Sequence, residues 1–215
     1  MAVGAAVRRM FGPYETQVGD LYRSFFVDLD AQLGTFRRWA PDATNILEIG
    51  CGEGAVCERL AVDFPAAAIT GIDITPRVGR LFHGDPSRVR FEQIDAGALA
   101  RREPAKFDLI LICDVLHHVP WDQHRALLRE AHALLSPGGV LVIKDWERIL
   151  NVGHMACVFS DRVLTGDQVK FGTADYFRGL LADVFGSGAV VDETRVSPWP
   201  NNLMLFVRPT RSAPQ

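Results

Sequence analysis

The sequence predicts an α/β protein with a doubly wound, mostly parallel sheet, and three observations support that prediction. From residue 45 onward, short apolar segments alternate with amphipathic ones, as strands and helices do along a parallel sheet. The segment FDLILIC at residues 107–113 is almost continuously apolar, which is typical of a strand covered on both faces. A glycine-rich turn follows the first strand, at the edge where such sheets bind ligands.

The elements follow from periodicity and from Pro and Gly breaks. An N-terminal helix is predicted over residues 18–39, where apolar side chains recur at intervals of three and four. Seven strands are predicted, the last two forming an antiparallel hairpin at the edge of the sheet: 46–49, 68–72, 89–94, 107–113, 140–143, 189–196 and 203–207. Further helices are predicted at residues 55–64, 78–82, 121–135 and 176–185.

Length and periodicity predict one domain with two additions. Residues 1–44 are expected to form a helical cap, and residues 45–215 the core. Residues 145–173 have no clear periodicity, and a loop of that length in a compact domain is usually functional, so it is expected to cover the site. Exposed apolar residues on the cap could form a dimer interface instead of a lid over the site. The predicted oligomeric state is therefore a monomer or a homodimer.

The composition of the chain indicates which classes of partner it does not bind. The formal net charge is −3, from 23 basic and 26 acidic residues, so no overall basic field attracts nucleic acid or an anionic membrane. The four cysteines lack zinc-site spacing, and no apolar run reaches the roughly 18 residues of a spanning helix. The sequence therefore predicts a cytoplasmic protein with reduced cysteines that binds neither nucleic acid nor membrane.

The most informative stretch is ILEIGCGEG at residues 46–54. Gly50, Gly52 and Ala55 satisfy the relaxed dinucleotide fingerprint, which by itself indicates only a nucleotide-like ligand. Glu48 argues against a dinucleotide, because its carboxylate would repel a pyrophosphate by a few kcal/mol at about 4 Å in an effective dielectric of roughly 20. A carboxylate at this point favours a ligand that carries an ammonium and a sulfonium.

Acids also end the next two strands. Asp73 ends the second strand, where a carboxylate can accept hydrogen bonds from both ribose hydroxyls. Asp95 ends the third and is placed to meet an adenine amino group, with the backbone amide of Ala96 beside it. The pattern predicts a nucleoside pocket without a phosphate subsite.

With these motifs, the sequence resembles the class I S-adenosylmethionine-dependent methyltransferases. The resemblance extends from about residue 45 to 209 and includes LEIGCGEG, GIDI, the Asp95–Ala96 pair, FDLILICDVLHHV and LLSPGGVLVI. It implies a Rossmann-like sheet and S-adenosylmethionine as cofactor, with S-adenosylhomocysteine as product. It implies that Glu48, Gly50 and Gly52 hold the methionine end, that Asp73, Ile74, Asp95 and Ala96 hold the ribose and adenine, and that Cys51 and Cys113 line the pocket.

The methyl acceptor is less well defined by the sequence. His117 and His118 follow the fourth strand and are the candidate general bases, although one could cap a helix while the other packs on the adenosine. The resemblance also suggests that an N-terminal tyrosine, Tyr14 or Tyr22, reaches the cofactor carboxylate. The substrate-binding candidates are polar and aromatic residues of the cap and cover: Tyr22, Trp146, Arg148, His154, Arg162 and Tyr176.

Subfamily signatures indicate the kind of acceptor. The segment after the fourth strand reads Cys113-Asp114-Val115-Leu116, not the Pro-Pro motif of nucleic-acid amino methyltransferases, and no acidic metal-binding set of the catechol type is visible. The prediction is metal-free methylation of an oxygen or nitrogen of a small metabolite. A non-catalytic S-adenosylmethionine-binding scaffold and an NAD-dependent oxidoreductase are the alternatives.

Overall fold

The computed structural model describes residues 26–160 and 169–210, where it forms one seven-stranded sheet. The strands are β1 (Asn45–Ile49), β2 (Ala68–Asp73), β3 (Val89–Gln93), β4 (Phe107–Cys113), β5 (Leu135–Trp146), β6 (Val190–Arg195) and β7 (Asn202–Val207). The helices are α1 (Leu29–Trp39), α2 (Ala55–Asp63), α3 (Ala96–Arg102), α4 (His124–Leu134), α5 (Val152–Ser160) and α6 (Ala174–Phe185). Tyr14, Tyr22, Arg162 and most of the predicted cap lie outside the described residues.

The strand order β3-β2-β1-β4-β5-β7-β6 confirms the predicted α/β architecture. Strands β1 to β5 pair in parallel, and β7 runs antiparallel to both of its neighbours. Chain order reverses between β1 and β4, because β2 and β3 lie on one side of β1 and the later strands on the other. Open α/β sheets bind ligands outside the carboxyl ends of the strands at such a switch point.

Both faces of the sheet are buried, which explains the apolar texture of β4. Its side chains alternate between two cores: Leu109 and Leu111 pack with α1 and α2, and Ile110 and Ile112 pack with α3, α4 and α6. All four are fully buried. The sequence of β4 was therefore interpreted correctly as a strand covered on both sides.

Side-chain caps begin three helices. Asp28 accepts backbone N–H bonds at the start of α1, Asp95 does so for α3, and Thr173 for α6. Helix α2 instead begins after Gly54, whose φ of 98° lies in the left-handed region that glycine favours. The chain can therefore leave β1 through a glycine turn and enter α2 directly.

The predicted helix at residues 78–82 does not form, and this prediction was wrong. Residues 76–81 form turns, and Gly79 has φ +67°. A Cβ on Gly79 would lie 2.5 Å from the Phe91 ring, so that ring packs directly against the glycine backbone. The helices α3 and α5 were not predicted, and α5 lies within the expected cover.

Candidate active site

The glycine turn after β1 is held by the neighbouring strand. The backbone amides of Gly50 and Cys51 both donate to the Ile72 carbonyl, at 2.8 and 3.0 Å. Gly50 has φ +76°, and a Cβ there would lie 2.4 Å from the Val115 side chain. Gly52 has φ +50°, and nothing lies within 4 Å of the position of its missing Cβ. The turn thus needs glycine at position 50, where a side chain would collide with Val115. At position 52 no described atom fills the space beside the backbone.

Asp73 fixes the far side of this turn. One carboxylate oxygen accepts from the Gly52 amide at 2.8 Å, and the other accepts from the Thr75 amide at 2.8 Å. Each oxygen keeps a further lone pair for a ligand. Asp73 therefore both holds the turn and faces the cavity beside it.

A first cavity of about 650 Å³ opens at the carboxyl ends of β2, β3 and β4. Its lining includes the predicted nucleoside residues Gly50, Asp73, Ile74, Asp95 and Ala96, together with His118. The side chain of Asp95 is partly used by the fold, since it caps α3 by accepting from Ala98 N at 2.7 Å.

The distal wall of this first cavity comes from α4 and includes Leu127 and Glu130. Burial, followed by the nearby charge of Asp95, raises the pKa of Glu130. Its carboxylate lies against Gly97, where a Cβ would stand 2.6 Å from Oε1.

A second cavity, also of about 650 Å³, lies under the N-terminal part of α1. Its lining includes Glu48, Cys51, Gly52 and Cys113, all of which the sequence assigned to the cofactor, and also Gln32. The two cavities share Gly50 and Asp114. They therefore meet at the glycine turn, at the switch point of the sheet.

Glu48 is the most perturbed acid of this site. Its side chain is buried, and burial raises the pKa of Glu48 from 4.5 to about 7, although a hydrogen bond from Cys57 at 2.9 Å opposes the rise. Among the described residues, no Lys or Arg forms an ion pair with it. A cationic ligand in the second cavity would supply the missing positive charge.

Three cysteines lie in or beside the glycine turn and the second cavity. Cys51, Cys57 and Cys113 are buried free thiols. Burial and the Glu48 charge raise the pKa of Cys113, and the neighbouring Cys51, burial and Glu48 raise that of Cys57. Since the thiolate is the reactive form, Cys57 and Cys113 act as packing residues of the cavity wall.

Asp114 lies where the two cavities join, and its backbone has the left-handed φ of +56°, which is uncommon outside glycine. Both of its carboxylate oxygens accept from Lys144 Nζ at 2.7 Å. Lys144 is almost fully buried, whereas the Asp114 side chain is 41% exposed. The ion pair therefore presents a charge-balanced carboxylate at the junction.

The two candidate histidines have different surroundings. His117 is buried, its Nδ1 lies 2.7 Å from Asp145 Oδ1, and its ring stacks on Phe171. Burial alone would raise the pKa of Asp145, but the His117 charge and hydrogen bond outweigh it and hold that pKa below its ordinary value. An ionised Asp145 can only accept, so His117 Nδ1 carries the proton of this hydrogen bond. His118 is exposed and lines the first cavity.

Asp114, His117 and Asp145 offer ligand atoms within 4.8 Å of one another, close enough to share a metal ion. Each carboxylate already has a partner, since Lys144 binds Asp114 and His117 binds Asp145. A metal ion would have to compete with the Lys144 ammonium.

The predicted substrate residues lie apart from the two cavities. Trp146 and His154 are buried and joined by a hydrogen bond of 3.2 Å, in a cluster with Phe171. The Tyr176 hydroxyl binds His124 Nδ1 at 2.8 Å, and Arg148 is exposed with its amide bound to the Gly172 carbonyl. None of these four lines either cavity.

Sequence reasoning missed Gln32, Glu130 and Lys144. Gln32 was detectable, because it lies between Leu29 and Phe36 on the face of α1 predicted to be buried, where a polar residue is unexpected. The roles of Glu130 and Lys144 depend on contacts between elements far apart in sequence, which periodicity does not reveal.

Comparison with known proteins agrees with this geometry. A family model described as a methyltransferase domain matches residues 47–141. A ubiquinone biosynthesis O-methyltransferase of Cupriavidus pinatubonensis is 32% identical over 136 residues, 61% of this chain and 52% of that protein. One from Paraburkholderia xenovorans is 31% identical over 157 residues, 71% and 65% of the two chains. The chain thus spans between about half and two thirds of the length of these relatives.

A solved structure gives wider coverage. The 1,6-didemethyltoxoflavin-N1-methyltransferase of Burkholderia thailandensis, with bound 1,6-didemethyltoxoflavin and S-adenosylhomocysteine, matches with a TM-score of 0.67 at 22% identity. The match covers 96% of this chain and 88% of that one. Residues 47–141 therefore match a methyltransferase domain, and the sheet has the fold of this solved methyltransferase. Among the described residues, the buried Glu48 pairs with no cation, and the glycine turn beside it is open to a positively charged ligand.

Proposed function

We propose that this protein transfers a methyl group from S-adenosylmethionine to an oxygen or nitrogen of a small molecule. One observation supports the proposal above all. Two cavities join at Gly50 and Asp114. The first is lined by acids that can bind an adenosine, and the second by the buried Glu48, whose carboxylate would be stabilised by a cationic ligand. A dinucleotide would bring a pyrophosphate to the same turn, where Glu48 repels it.

The bound cofactor would supply an electrophilic methyl group on a sulfonium. In the proposed arrangement, Asp73 accepts from the ribose hydroxyls, and Asp95 with the Ala96 amide recognises the adenine. Ile74, 78% exposed, packs along the base, and the cavity walls exclude water from the ligand. Glu48 and the Gly52 turn hold the amino-acid end.

The proton of a neutral acceptor would be taken by His117. Asp145 orients the His117 ring and stabilises the imidazolium once Nε2 has accepted the proton. His118 belongs to the cofactor side in this scheme, because it lines the first cavity. The Asp114–Lys144 pair keeps a balanced charge at the junction and so avoids a fixed anion beside the acceptor.

The wider picture is proposed from sequence and structure together. We propose residues 1–44 as a cap and residues 145–173 as a cover, and at the described end of the cap Val27 and Gln32 line the second cavity. No helix in the described part of the chain is both long and apolar enough to span a bilayer. We propose a cytoplasmic monomer or homodimer that acts without a metal and binds neither nucleic acid nor membrane.

Calorimetric titration tests the cofactor. S-adenosylmethionine and S-adenosylhomocysteine should both bind the full chain, and NAD should not. Glu48→Gln should weaken both complexes, while Asp183→Asn, which removes an exposed acid that pairs with Arg125 outside both cavities, should leave them unchanged. Binding of NAD alone would refute the assignment.

Turnover is the second test. Methyl-labelled S-adenosylmethionine is supplied with two acceptor sets, hydroxylated aromatics of the quinone-precursor type and nitrogen heterocycles, chosen from what the named relatives modify. His117→Gln should reduce transfer to hydroxyl acceptors with little change in S-adenosylhomocysteine affinity. Cofactor binding without transfer to either set would favour the scaffold alternative.

A further inference from the structure

Gln32 on α1 has a buried side-chain oxygen that accepts no hydrogen bond from the described residues. The side chain is only 1% exposed, and its amide nitrogen donates to Cys113 Sγ at 3.3 Å. Within residues 26–160 and 169–210, nothing donates a hydrogen bond to its carbonyl oxygen, Oε1. Buried side-chain oxygens are rarely left unsatisfied, so this one needs an explanation.

The surroundings of Gln32 point to a ligand. It lines the second cavity together with Glu48, the glycine turn and Cys113. Gln32 donates to Cys113 Sγ, and both residues line this cavity with the buried carboxylate of Glu48. The last torsion of a glutamine is broad, so its amide can turn towards a ligand without a shift of the helix.

We propose that Gln32 recognises the α-amino group of the cofactor, with Oε1 accepting one of its N–H bonds. The inference rests on the proposed function, since it places the amino-acid end of S-adenosylmethionine in the second cavity. An ammonium has three donors and needs several acceptors. Glu48 provides the negative charge and Gln32 a neutral acceptor, so the group is bound without a second buried anion.

The alternative is a structural glutamine that only supports Cys113. The two roles differ in their effect on the ligand-free fold. Gln32→Met keeps length and helix propensity and removes the unsatisfied oxygen, so it should leave the ligand-free protein as stable as before or more stable. A ligand-binding role predicts weaker cofactor binding in the same variant.

The experiment compares three probes by calorimetry on the wild-type full chain and on Gln32→Met. S-adenosylhomocysteine carries the amino group, its deamino analogue lacks only that group, and 5′-methylthioadenosine lacks the whole amino-acid part. Thr35→Val, which removes a hydroxyl that binds the Ala31 carbonyl on the same helix, is the matched control. The melting temperature of each ligand-free protein is measured in parallel.

We expect Gln32→Met to weaken S-adenosylhomocysteine roughly tenfold to a hundredfold, as for a hydrogen bond to a charged group, and to leave the other two probes unchanged. Unchanged affinity for S-adenosylhomocysteine would overturn the inference. So would an equal loss for the deamino analogue, or a loss for all three probes with a lower melting temperature. If the wild type binds none of the probes, the proposed function itself fails, which is a separate outcome.

Discussion

Replacing Glu48 by glutamine should make the ligand-free protein more stable at alkaline pH while weakening cofactor binding. The carboxyl has a pKa of about 7 in the fold against an ordinary value of 4.5. The folded state therefore holds the proton more tightly than the unfolded state does. Stability from this group is complete below pH 4.5 and is lost as the pH rises towards 7, after which the cost stays constant.

The size of this cost follows from the two values. A difference of about 2.5 between them corresponds to about 3 kcal/mol, at 1.36 kcal/mol for each pH unit. Glutamine does not titrate, so the stability of Glu48→Gln relative to the wild type should rise by about 3 kcal/mol between pH 4.5 and pH 8. Groups that titrate in both proteins cancel in the comparison.

The measurement is denaturant unfolding of both proteins at several pH values from 4.5 to 8, without ligand. Glu58→Gln, a less buried acid on α2 whose carboxylate accepts from the His83 amide, is the control and should show no comparable change. Calorimetry with S-adenosylhomocysteine should show the opposite trend, since the wild type binds more tightly as Glu48 ionises and the variant binds weakly throughout. A stability difference that does not grow with pH would refute the reasoning about the buried carboxyl.

Three further predictions concern packing, the histidine pair and metal. Gly71→Ala should destabilise the fold by about 1–3 kcal/mol, because its Cβ would lie 2.8 Å from Cys57 Sγ. Gly179→Ala is the control and should not destabilise the fold, because no described atom lies within 4 Å of its added Cβ. Equal denaturant midpoints for the two variants would contradict the prediction. Asp145→Asn should lower the rate of methyl transfer far more than it lowers cofactor affinity. The variant should also be less stable than the wild type, and this difference should fade below about pH 4, because the wild-type carboxylate is then protonated. A difference in stability that does not depend on pH would count against an ionised Asp145 paired with His117. Methyl transfer should survive a chelator, and restoration of lost activity by a divalent cation would contradict the metal-free mechanism.

The sequence was sufficient for most of the sheet. Four of the five parallel strands, β1, β2, β4 and β5, are mostly buried, so their apolar runs were visible without any knowledge of neighbours. The helix wrongly predicted at residues 78–82 shows the limit of periodicity. Val78 and Phe82 have helical spacing, but Gly79 turns left-handed because the Phe91 ring from β3 occupies the space beside it. That contact joins two segments and leaves no local signal.

In the site too, residues with a local sequence signal were predicted, and residues whose role depends on distant contacts were not. Glu48, Asp73 and Asp95 were predicted because each lies at or just beyond the end of a strand, and strand ends meet at one edge of the sheet. Asp145 became informative only when the structure placed it 2.7 Å from His117. Gln32 needed one more fact, the unsatisfied oxygen, which belongs to three-dimensional packing alone.

Two acids of the site, Asp114 and Glu48, differ in how their charge is balanced. Asp114 is balanced within the fold, because Lys144 binds both of its oxygens. Glu48 has no such partner among the described residues, and burial holds its proton until about pH 7. A ligand that brings an ammonium and a sulfonium gains from ionised Glu48, whereas a neutral acceptor beside Asp114 meets no net charge. In the proposed function, the site would therefore bind the charged donor beside Glu48 and a neutral acceptor beside the balanced Asp114–Lys144 pair.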